Sequence, residues 1–262
     1  MQLGTCDYRS IRVLWSASIP FVFVDYPGGV WGPFTDFLRS TSANVEVRQI
    51  VRGFDLKVTY DLYGADYQYG HIWRFHDDGQ FGSTIVIQGP GEEIDGRHAY
   101  HVPFRFDLDI SGASGDSLQR WGSLGRTGYW MDVLHEGQQL PAGDPCSDFD
   151  WQVIDKVTNR RAMIRAGECD NGEIWALQYS EIESWSSWGG AQGSPPGSPG
   201  SVPALYGNDQ SVQDSDIVVW YIAHRSSRDL VASCGPWFKL AGYGDLPHDG
   251  DEDDHPHDGD HH

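Results

Sequence analysis

Apolar residues recur at every second position in long stretches of this chain, and no other feature limits its folding so strongly. In VEVRQIVRGFDLKVTYDLY (45–63), Val45 and Val47, then Phe54, Leu56, Val58 and Tyr60, alternate with polar residues. Successive side chains of a strand point to opposite faces, so such a segment buries one face and wets the other. Further β-branched or aromatic runs lie at 11–26, 83–88, 101–110, 150–157, 161–167, 173–179 and 215–224, bounded by Gly, Pro, Asn or Asp. The 32 glycines and 14 prolines punctuate strands rather than helices. HDDGQ (76–80) reads as a hairpin turn in which Gly79 supplies a positive φ. The one helix signal is GPFTDFLRS (32–40). An all-β chain is expected, with one core over residues 1–244, since 262 residues suffice for a single β domain.

Two segments depart from this pattern. SSWGGAQGSPPGSPGSVP (186–203) is too rich in Gly, Ser and Pro to pack as a strand and reads as a long surface loop. Residues 245–262, ending HDGDEDDHPHDGDHH, hold almost nothing apolar and read as a disordered tail whose histidines and carboxylates could also hold divalent ions loosely.

Charge narrows the partners. A formal net charge of −20 argues against nucleic acid, whose phosphates need a basic face, and is compatible with amines or metal ions. No apolar run is long enough to span a bilayer, and MQLGTCDYRS lacks the basic start and apolar core of a signal peptide. Cys6, Cys146, Cys169 and Cys234 lack CxxC spacing, which leaves disulfides or buried thiols. Disulfides are favoured, and with them an extracellular or periplasmic compartment.

The chemistry-bearing stretch is DYQYGHIWRFHDDG (66–79). It resembles the cofactor segment of copper amine oxidases, Asn-Tyr-Asp-Tyr followed by Trp-x-Phe and a turn ending in Asp-Gly. VLWSASIPFVFVDY, FRFDLDISG, EIWALQY and VQDSDIVVWYIAH resemble further strands of that catalytic domain in the same order, so the resemblance covers roughly 13–224. It implies a two-sheet antiparallel β-sandwich, a homo-oligomer, and oxidation of a primary amine to an aldehyde with release of hydrogen peroxide and ammonia. Tyr67 falls on the tyrosine that copper and oxygen convert to topaquinone, and Asp36 is the candidate for the base that takes the proton from the substrate.

For copper, the resemblance implies a His-x-His pair and a distant third histidine. Anchored on Phe104, His98 falls on the first ligand and Tyr100 on the second, while the third falls on Ser227. A bulge near Pro103 is expected to rephase His101, and a short deletion to bring in His224, so that His98, His101 and His224 hold the ion. The family's calcium-type site matches Asp107, Asp109 and Asp216, whose spacing by two puts Asp107 and Asp109 on one strand face. The same residues also suit a non-catalytic sandwich, in which the histidines are hydrogen-bonded framework and the fold serves assembly or metal binding.

Overall fold

The computed structural model describes residues 2–19, 22–26, 29–34, 43–61, 68–88, 98–124, 127–141, 148–167, 170–180, 206–227 and 231–243. Nineteen strands follow one another among the described residues: β1 (Gln2–Leu3), β2 (Cys6–Tyr8), β3 (Ile11–Ser18), β4 (Val22–Tyr26), β5 (Gly29–Phe34), β6 (Ala43–Ile50), β7 (Gly53–Asp61), β8 (Gln68–His76), β9 (Gln80–Gln88), β10 (His98–Leu108), β11 (Asp116–Leu124), β12 (Thr127–Asp132), β13 (Gly137–Gln139), β14 (Trp151–Asp155), β15 (Arg160–Arg165), β16 (Glu173–Gln178), β17 (Ile217–Ser227), β18 (Val231–Cys234) and β19 (Trp237–Ala241). No helix occurs among the described residues. The expected helix at 32–40 is replaced by β5 as far as Phe34, because that segment closes a hairpin with β4; 35–40 lie outside the described residues.

Two antiparallel sheets form a sandwich. The first runs β1-β3-β10-β17-β16-β13, with β2 on β3, β4 on β10 and β5 on β4. The second runs β12-β11-β14-β15-β19-β9-β8-β7-β6, with β18 on β9. Tyr100, Val102, Phe104, Phe106 and Leu108 of β10 and Ile217, Val219, Tyr221 and Ala223 of β17 face Trp73, Phe81, Ile85, Trp151, Val153 and Phe238 of the other sheet in one continuous core. Period-two spacing puts each set on one face, and burying a large aromatic such as Trp73 or Phe106 stabilises the sandwich by about 3 kcal/mol. The turn after β8 forms as expected, with Gly79 at φ +82°. A side chain there would press on Tyr8 and Leu240, so glycine meets two requirements at once.

β10 and β17 form the spine of the first sheet. Their register runs without a shift from His98 opposite Ser227 to Leu108 opposite Ile217. On its other side β10 pairs β4 at 99–101 and β3 at 105–108. β17 is buried on both faces: Val218 and Trp220 form a second, outward cluster with Leu177.

Cys6 and Cys234 are free thiols, so the expected disulfides do not involve them. Cys234 is buried beside Ile85, and burial pushes its thiol far up. Cys146, Cys169, the 186–203 loop and the 245–262 tail lie outside the described residues. Among the described residues no helix is long and apolar enough to cross a membrane.

Candidate functional site

The unbroken β10–β17 register decides where the histidines go. No bulge occurs at Pro103, so His101 stays out of phase with Tyr100 and opposite His224. The ladder has no need of a bulge, because Pro103 sits opposite Ile222 without a shift in pairing. His224 follows the parity of Val218 and Trp220, away from the inter-sheet core. The two imidazoles meet there, Nδ1 to Nδ1 at 2.7 Å, one donating its proton and the other accepting. His98 stands at a position of the opposite parity, shared with Tyr100. The structure therefore joins His101 to His224, while His98 keeps the opposite strand parity.

Residues that sequence reasoning did not single out surround this pair. Glu173, at the start of β16, lies 3.9 Å from Nε2 of His224, too far for a hydrogen bond but close enough to attract a charge. Its carboxylate accepts from Gln138 Nε2 and, at 3.3 Å, from Trp175 Nε1. Burial opposes its ionisation, yet contacts with His224, Gln138 and Trp175 hold its pKa below the usual value. Behind it, Asp170 is fully buried and accepts from Tyr221 Oη at 2.6 Å and from the amides of Gly172 and Gly235. The Asp170 carbonyl also accepts the His224 amide at 2.6 Å. Burial raises the Asp170 pKa.

On the inward face of the second sheet, Tyr69, His71 and Trp73 alternate along β8 and are all buried. His71 Nε2 bonds Ser83 Oγ at 2.7 Å, its Nδ1 has no hydrogen-bond partner among the described residues, and burial lowers its pKa to about 3. His71 is the inward imidazole nearest in sequence to Tyr67; its place in a period-two run with Tyr69 and Trp73 was the available signal. Tyr67 and Asp36 lie outside the described residues.

The other end of the β10–β17 ladder collects carboxylates. One step beyond the paired Leu108 and Ile217 come Asp109 and Asp216. Asp107, also buried, pairs with Arg105 at 3.5 Å, and Arg105 reaches Ser16. Asp116, at the start of β11, is fully buried; its Oδ2 accepts the Ile110 amide, and its backbone bridges Ser215. Asp109 Oδ1 and Asp116 Oδ1 are buried with no hydrogen-bond partner among the described residues. Burial, reinforced by Asp109, Asp155 and Asp216, pushes Asp116 up to about 8. Burial, reinforced by Asp107 and Asp109, pushes Asp216 up to about 6. Asp107 and Asp109 are raised as well, in both cases chiefly by burial. Among the described residues no three histidine, cysteine or carboxylate side chains surround one point closely enough to hold an ion by themselves.

No protein-family model matches the chain, and no curated protein does. Solved structures do. A copper-containing benzylamine oxidase from Hansenula polymorpha superimposes with a TM-score of 0.67 at 12% identity over 94% of this chain and 57% of that one. An amine oxidase from Aspergillus nidulans gives 0.63 at 13% identity over 95% and 49%, and a lysyl oxidase from Pichia pastoris 0.60 at 11% over 88% and 48%. The chain therefore has a copper-amine-oxidase-like fold and spans about half the length of the structures it matches.

Proposed function

We propose that this chain is a cation-binding β-sandwich built on the copper-amine-oxidase scaffold, and not an oxidase. One observation carries the reading: the β10–β17 register runs unbroken from end to end. At one end it turns His101 and His224 toward each other and away from the core; at the other it brings Asp109 and Asp216 side by side.

Copper fits poorly. The positions that the resemblance assigns to copper carry His98, Tyr100 and Ser227, a single imidazole where the ion wants three. His101 and His224 do not substitute for the missing two, because they meet each other at the strand parity opposite to that of positions 98 and 100. A hard cation fits better. Asp109 Oδ1 and Asp116 Oδ1 are buried oxygens without donors among the described residues, and neighbouring carboxylates that raise one another share this corner with Arg105 and Arg12 as counter-charges. Calcium takes six to eight oxygens; since no three of these carboxylates converge on one point among the described residues, Asp109 with one neighbouring carboxylate would supply part of its shell and backbone carbonyls and water the rest. Such modules work at the high calcium of extracellular fluid, which agrees with an extracellular or periplasmic setting.

The oxidase reading retains one support. Tyr67 lies two residues before the inward-facing Tyr69, at the position of the topaquinone precursor. Aerobic loading with copper separates the two readings. The expected result is a folded, colourless protein that forms no coloured adduct with a hydrazine. Quinone absorbance, traced by peptide mapping to Tyr67, would instead establish the oxidase, with a primary amine as substrate and Asp36 as the base to mutate next.

A further inference from the structure

We propose that two copies of this chain join edge to edge through β6, antiparallel about a two-fold axis at Val47. β6 ends the second sheet among the described residues. Its alternation places Val45 and Val47 opposite Val58 and Leu56 of β7, on the face that packs into the core. Yet Val45 is 61% and Val47 67% exposed, so this face stands uncovered at β6. Phe54, opposite Gln49 on the same face, is 44% exposed. An apolar stripe thus continues beyond the covered core to an open edge.

Open edges usually carry lysines, proline, a bulge or a short strand that discourages pairing. β6 has no lysine, proline or bulge, and its two charges, Glu46 and Arg48, are of opposite sign; it is eight residues long, ANVEVRQI, and pairs β7 without a shift from Ala43 to Ile50. The two-residue turn Val51–Arg52 closes on Ile50 opposite Gly53, which makes that pair a hydrogen-bonded one. Alternate residues of β6 then point their amides and carbonyls outward, at Ala43, Val45, Val47 and Gln49.

A two-fold axis at Val47 uses that pattern. Val47 meets Val47 of the second copy, and Val45 meets Gln49, so that three hydrogen-bonded pairs form about six new bonds. Glu46 falls opposite Arg48 of the second copy, and Arg48 opposite its Glu46, both in the closely spaced pairs where side chains meet. A chain of net charge −20 resists self-association, and this edge, with Glu46 balanced by Arg48, is a locally neutral place for two copies to meet. The valines of both copies then extend one apolar stripe across the axis.

The test is the mass of the full chain in solution by analytical ultracentrifugation. Wild type is expected to be a dimer. Glu46→Arg sets arginine against arginine at both contacts, and Arg48→Glu sets glutamate against glutamate; each should weaken the dimer at least about tenfold. Mixing the two single variants should restore a dimer with one copy of each, and so should the double swap within one chain. Both residues are exposed, so folding, followed by circular dichroism, should be unchanged. A monomeric wild type, or a dimer indifferent to both single variants, would overturn the proposal.

Discussion

The β10–β17 ladder has two ends that differ in kind. At the Ser227 end, two imidazoles satisfy each other and Glu173 steadies one of them. At the Ile217 end, buried carboxylates crowd together with oxygens that find no donor among the described residues. Histidine can accept or donate, so a pair of them closes on itself at no cost in charge. Carboxylates only accept when ionised, so a buried group of them must take up protons or a cation. One end of the ladder is chemically complete and the other is not, although the same two strands build both.

The largest effect expected from this contrast is on stability against pH. Asp116 and Asp216 have folded pKa values of about 8 and about 6, above the usual carboxylate value. The folded protein therefore holds protons that the unfolded chain has lost. Their contribution is full below about pH 4 and is lost as pH rises through about 6 and then about 8, an effect on the order of a few kcal/mol. Asp116→Asn removes the charge and keeps an oxygen for the Ile110 amide. In cation-free buffer it should melt well above wild type near pH 8 and close to it near pH 4. Equal melting temperatures at both pH values would mean that the corner is not short of positive charge.

Calcium should act next in size. A ligand that binds only the folded state at a hundred times its Kd adds about 2.7 kcal/mol. Melting in calcium against chelator should show a rise of this order, carried with a flatter pH dependence. Asp109→Asn should remove most of it. A calcium response unchanged in Asp109→Asn and Asp216→Asn would place the ion elsewhere, and no response would leave only protons to neutralise the corner.

What the sequence disclosed follows the same division. Strong alternation marked β7, β10 and β17, and the spacing of Asp107 and Asp109 put both carboxylates on one face, because period two is a property of the backbone alone. β11 and β12 escaped notice: DSLQRWGSLGRTGYWMD has little apolar alternation. These strands pack through Gly122 and Gly128, where any side chain would overlap Met131 and the Trp121 indole, a cross-strand fit invisible in one dimension. The histidines misled for a different reason. A bulge at Pro103 is needed only if His101 must join His98, and nothing local demands it; the regular pairing with β17 keeps the phase. Asp170 and Glu173 lie far in sequence from His101, so their roles depended on the ladder order that only the folded chain displays.

The smallest effect concerns the histidine end and is the most direct check on its being self-contained. A double-mutant cycle with His101→Gln and His224→Gln isolates the energy of the 2.7 Å contact from whatever else each side chain touches. A neutral hydrogen bond between half-buried groups is worth about 0.5–1.5 kcal/mol net, and the coupling should fall in that range. It should also be the same with and without copper if the pair is framework and not a metal site. A coupling near zero would mean that the rings are not bonded in solution. A coupling that grows several-fold when copper is added would mean that the shared proton gives way to a metal, and the two ends of the ladder would then be alike in needing a cation.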